Sequence, residues 1–117
     1  MGADWIQHRG VNMILVDYKG LKAEVMIRQQ REYERMLQSA DEPVPVVIDF
    51  TDSTPDSMFI EEMKRIGVEY HSKVSRHAFV GITGLLKILV HGYIAKTRLP
   101  TEMCETLDAA KDFIASA

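Results

Sequence analysis

Residues 80 to 87 read VGITGLLK: an apolar run that stops at Gly81, two residues, a second glycine at 84, then leucines and a lysine. The fold turns on whether this is a strand handed to a helix by a tight turn or a loop built to cradle phosphate. A phosphate-binding P-loop needs GxxxxGK followed by Ser or Thr, because that length lets successive N–H groups wrap the phosphates while the lysine reaches them. Here only two residues separate the glycines, and Lys87 comes three positions after the second. A dinucleotide fingerprint needs a third glycine and follows the first strand of its unit, so it is absent too. What remains is strand, turn, helix. Thr83 is placed to cap the helix and Gly84 to let its first turn approach the neighbouring backbone. Free N–H groups there, with Lys87, could also hold a small anion. Thr83, Gly84 and Lys87 are therefore the candidate anion site, and a purely structural turn is the alternative.

Working outward, HAFVGI before the turn is a buried strand and GLLKILVHGYIAK after it is a helix. Upstream, VPVVIDF at 44 to 50 has the continuous apolar character of a strand buried on both faces in an α/β sheet. Between them, TDSTPDS places Thr54 as a helix cap with Pro55 in the first position. Phe59, Met63, Ile66 and Tyr70 then keep the spacing of an inward helix face. Further back, residues 22 to 40 place Val25, Met26, Tyr33, Met36, Leu37 and Ala40 on one arc, an amphipathic helix. The chain opens on WIQHRG and NMILVDY, two strand-like runs separated by a glycine suited to a hairpin. It closes on a short strand around TEMCE and a helix capped by Thr106, with Leu107, Ala110, Phe113 and Ile114 inward. The order β-β-α-β-α-β-α-β-α predicts a single α/β domain: a mixed, mainly parallel sheet of about five strands with helices on its faces.

At 117 residues the chain has room for one core. No stretch approaches the roughly 18 uncharged apolar residues of a membrane span, so membrane insertion is not expected. No basic leader followed by an apolar run begins the sequence, and the single cysteine, Cys104, has no CxxC neighbour. Both point to the cytoplasm. The net charge of −3 hides a segregation: residues 64 to 98 hold seven basic residues and one acid, which is +6, against −9 elsewhere. This is either an anion-binding face or a set of cations at helix ends, where the dipole favours them. The basic residues are not interleaved with exposed aromatics and the pI is about 5.8, so nucleic acid is not the expected partner.

DFTDS at 49 to 53 puts Asp49 and Asp52 at the end of a central strand, where Asp17 could join them around Mg²⁺. The second acid lies three residues on rather than the two of a DxDxT phosphatase motif, and turn-forming aspartates are the commoner reading. The histidines lack zinc-ligand spacing and no GxSxG elbow presents a serine. Neither a metal, a cofactor nor a catalytic residue is expected.

Four motifs in order carry a family resemblance: VDYKGL at 16 to 21, VVIDFT at 46 to 51, AFVGITGL at 78 to 85 and TLDAAKDFIAS at 106 to 116. Together they resemble the STAS/SEC14-like, or SpoIIAA-like, domains of small bacterial proteins. The resemblance implies an anti-sigma-factor-antagonist type of fold and a non-catalytic regulatory or interaction role, with a carrier of a small apolar or lipid-like ligand as the alternative. Phosphorylatable members carry a serine after an aspartate in a DSxGLG-like setting. Asp56-Ser57 sits at that place, but Met58-Phe59-Ile60 replaces the small residues, so Ser57 departs from the pattern.

The helix after residue 84 is apolar over most of its circumference. At about 100° per residue, Leu85, Leu86, Leu89 and Tyr93 make a core stripe, Val90 and Ile94 widen it on one side and Ile88 on the other. Ile88, Val90 and Ile94 are thus the candidate ligand or partner surface, either a self-association patch or the mouth of a pocket.

Overall fold

The computed structural model describes residues 2 to 116. Strands β1 (Ala3–His8) and β2 (Val11–Asp17) pair antiparallel, with His8 opposite Val11. Arg9 and Gly10 between them both take positive φ, 51° and 79°. Two consecutive left-handed residues make the tight hairpin whose twist matches its strands. Then follow α1 (Ala23–Ser39), β3 (Val44–Asp49), α2 (Ser57–Glu69), a single 3-10 turn (His71–Lys73), β4 (Val74–Val80), α3 (Gly84–Thr97), β5 (Thr101–Cys104) and α4 (Leu107–Ala115). The strands form one mixed sheet in the order β1-β2-β3-β4-β5, parallel from β2 onward.

That order decides where the helices go. Each βαβ crossover steps to the next strand in the same direction, and crossovers of one hand then drop their helices on one face. Accordingly α1, α2 and α3 share a face over Ile14, Val16, Val46, Ile48 and Phe79. Helix α4 covers the other, with Ala110 and Ile114 packed on Met13, Val47, Ala78 and Val80. His8 ties the hairpin to α4 through a 2.8 Å bond to Asp112, which holds that carboxyl below its ordinary range.

The alternation of strand faces breaks once. Val44 pairs with Val74 but Pro45 pairs with Arg76, so Ser75 is an extra residue on β4. Proline has no N–H to give a central strand, and a bulge is where it is tolerated. Beyond the bulge, Arg76 lies over the Phe113 ring of α4, 4.2 Å from its centroid. His77 consequently faces the α1–α3 side, against Phe79 and Tyr93.

Several local details differ from what the sequence suggests. The cap of α2 is Asp56 rather than Thr54; its carboxylate accepts the Phe59 N–H at 2.9 Å. Thr54 is taken instead by a bridge to Lys22, its N–H donating to the Leu21 carbonyl. Thr83 precedes α3, but its hydroxyl makes no capping bond. Thr106 does cap α4, accepting from the Ala109 N–H at 3.1 Å. Gly84 supplies a φ of +54°, and a Cβ there would meet nothing within 4 Å. The close approach is at Gly81, where φ is +72° and a Cβ would lie 2.7 Å from the Thr51 backbone.

Candidate ligand-binding site

Between the sheet and its three-helix face the core leaves a cavity of about 70 Å³. One water needs roughly 10–15 Å³ of such space, so the cavity admits a few waters or a small organic group. Ile48, Phe50, His77 and Phe79 form the floor; Tyr33 and Leu37 of α1, Ile66 of α2, and Leu89, Val90 and Tyr93 of α3 form the walls. Helices α2 and α3 meet at Gly67, where a Cβ would sit 2.7 Å from the Tyr93 ring. A side chain at 67 would displace the tyrosine, so the glycine lets that ring close the space between the helices.

The lining is apolar except for a few groups, and two of those lack partners. His77 is 4% exposed, its ring centroid 5.0 Å from that of Phe79 and 5.2 Å from that of Tyr93. Its Nδ1 is buried and, among the described residues, has no hydrogen-bond partner. Burial drives its pKa down to about 3, so the imidazole is neutral at physiological pH. The Tyr93 hydroxyl is likewise buried and unpartnered, and burial pushes it up to about 12. Thr97 gives its hydroxyl to the Tyr93 backbone carbonyl at 2.9 Å. Desolvation also raises Tyr33 and Tyr18, while Gln30 spends an amide N–H on the Phe59 carbonyl at 3.2 Å. Lys64 reaches the rim but pairs with Glu61 at 3.2 Å, and its side chain is 49% exposed.

The candidates read from sequence are dispersed. Val90, at 2% exposure, lines the cavity; Ile94 is half-buried against the same core cluster; Ile88 is 68% exposed and turned away. Leu85 is no core residue: it is exposed, as Ile88 is, three positions along α3. Thr83, Gly84 and Lys87 lie exposed at the start of that helix, and Ser57 is exposed at the start of α2 beside an exposed Met58. The aspartates serve turns: Asp49 accepts the Thr51 N–H at 2.9 Å and Asp17 the Lys19 N–H at 3.0 Å. Among the described residues no three His, Cys, Asp or Glu side chains converge to hold a metal ion.

The basic segment is spread rather than gathered. Arg65 is held by Glu34, Glu62 and Glu69, Lys73 donates to the Ala40 carbonyl, and Arg76 lies on Phe113. The paired His77 and Tyr93, with the cavity between sheet and helices, escape a reading of the sequence. Their traces in it are a histidine inside an apolar strand and a glycine in mid-helix at 67.

A sheet that opens on an antiparallel hairpin and continues parallel, with three helices on one face and one on the other, has the SpoIIAA-like fold. The crystal structure of an uncharacterised protein of the DUF3478 family from Shewanella loihica PV-4, described as having that fold, is similar to this chain with a TM-score of 0.74. The match covers 96% of this chain and 91% of that one at 16% sequence identity, and the likeness is one of fold. No family model matches the sequence. No curated protein matches it either. Among the described residues no helix is long and apolar enough to cross a membrane.

Proposed function

We propose that this chain is a non-catalytic binding domain whose three-helix face holds a small, largely apolar ligand. The observation that carries the reading is the cavity itself: apolar walls around His77 and Tyr93, whose buried Nδ1 and hydroxyl have no hydrogen-bond partner among the described residues. An unsatisfied buried group costs about 1–3 kcal/mol, and a molecule that filled the space and met those atoms would offset that cost. Concave, mostly apolar sites with a few convergent polar groups are the usual form of small-molecule pockets. A cytoplasmic carrier of a small apolar ligand fits the SEC14-like side of the sequence resemblance.

A second reading rests on a different feature. Leu85 and Ile88 are 59% and 68% exposed on one side of α3, an apolar pair that suits a protein partner or self-association. Native mass spectrometry of the protein purified from its own host separates the two. A discrete added mass that disappears in a Val90→Phe variant supports the ligand reading. A ligand-free dimer that Ile88→Glu turns into monomer supports the partner reading and sinks the first.

A further inference from the structure

We propose that the ligand of this cavity is neutral and carries a hydroxyl, which enters first and lies against His77 and Tyr93 while its carbon chain runs past Leu89 and Val90 to the rim. The inference rests on the ligand reading above and narrows it to a chemical class. Two polar atoms of residues that line the site are buried without a hydrogen bond among the described residues: the Nδ1 of His77, which accepts or donates according to tautomer, and the Tyr93 hydroxyl, which does both. A ligand hydroxyl also does both, so it satisfies either tautomer. A carboxylate only accepts, and an ammonium only donates.

Charge decides further. Among the described residues the cavity lining contains no Asp or Glu to meet an ammonium. The cation Lys64 is half exposed at the rim and paired with Glu61, away from the floor. Burying an unpaired charge there is far more costly than burying a hydroxyl with partners. A protonated His77 could in principle balance a carboxylate, but its surroundings, Phe79, Tyr93 and an apolar floor, favour the neutral ring. Along the α2 side of the cavity Met63, Lys64 and Tyr70 are partly exposed, so the chain has a way out toward solvent.

The test is an NMR titration of the full chain at pH 7 with four probes of similar size: 1-butanol, n-pentane, butyrate and butylammonium. Pentane is the shape mimic of butanol without the hydroxyl. Tyr93→Phe, which keeps the ring and removes only the buried oxygen, is compared with the unaltered chain. It should weaken 1-butanol on the order of tenfold, the scale set by one buried hydrogen bond, and leave n-pentane within about twofold. Butyrate and butylammonium should bind more weakly than butanol to both. Equal effects of Tyr93→Phe on butanol and pentane, or butyrate as the tightest probe, would overturn the hydroxyl assignment while leaving an apolar pocket in place. Failure of all four to bind would overturn the pocket as well.

Discussion

His77 shows how one buried residue links stability to pH. Its folded pKa of about 3 lies below the ordinary 6.5, so the unfolded chain takes up the proton first. The stability this neutral ring contributes is complete above pH 6.5 and is lost as pH falls from there toward 3, at about 1.4 kcal/mol per pH unit. Urea midpoints measured from pH 7.5 down to 5, a window above the usual carboxylate range, should fall by the equivalent of about 2 kcal/mol, and His77→Phe should flatten that slope. Identical slopes in the two proteins would show that the ring is not buried neutral. At the glycine turn, position matters more than the residue's presence. Gly81→Ala combines a positive φ with a Cβ driven into the Thr51 backbone, and should cost about 3 kcal/mol. Gly84→Ala meets only the φ penalty and should cost about 1 kcal/mol. Thermal melts that reverse this order would place the close approach back at Gly84.

At the scale of elements, α3 was the hardest to orient from sequence, and the reason is physical. Apolar residues surround it, so periodicity finds no clear polar side: the buried centre falls at Leu86 and Val90, which leaves Leu85 and Ile88 in solvent. Helices α1, α2 and α4 have clean stripes, and their inner faces were legible. The face of His77 was not, because counting by twos from Val74 puts it on the α4 side; only the bulge at Pro45 turns it toward the helices. Two predictions follow from α3 and its contact. Ile88→Glu should leave stability within about 0.5 kcal/mol, as surface changes do, whereas Ile94→Glu, half-buried on the core, should cost about 2 kcal/mol. Equal losses in denaturant unfolding would mean that α3 is rotated from the orientation described. At the α2–α3 crossing, Gly67→Ala should destabilise by about 1–2 kcal/mol because its methyl strikes the Tyr93 ring. In a Tyr93→Leu background the same change should become neutral or favourable, since alanine is the better helix former by about 1 kcal/mol. Additive effects in that cycle would show that the two residues do not touch.

For the whole molecule, the chain order of elements and the mixed, mainly parallel character of the sheet were the most legible features, since hairpin, helices and turn residues all argue for them. The order of strands within the sheet was not read from sequence. Which helices share a face follows from adjacent crossovers of one hand. The space itself was not legible. A cavity is a mismatch between side chains distant in sequence, here Tyr33, Ile66, His77 and Tyr93, and no local pattern records it. The two faces of the sheet thus differ: on one, Ala110 and Ile114 of α4 pack on Met13, Val47, Ala78 and Val80, and on the other the three helices enclose the cavity. Xenon probes that difference directly, because it is apolar and small enough to enter such cavities. Methyl NMR spectra of the full chain under xenon pressure should show saturable shifts at Ile48, Met63, Leu89 and Val90, with Val47 and Ile114 on the α4 side unchanged. Shifts spread equally over both faces, or none at all, would contradict an apolar binding cavity on the α1–α3 face.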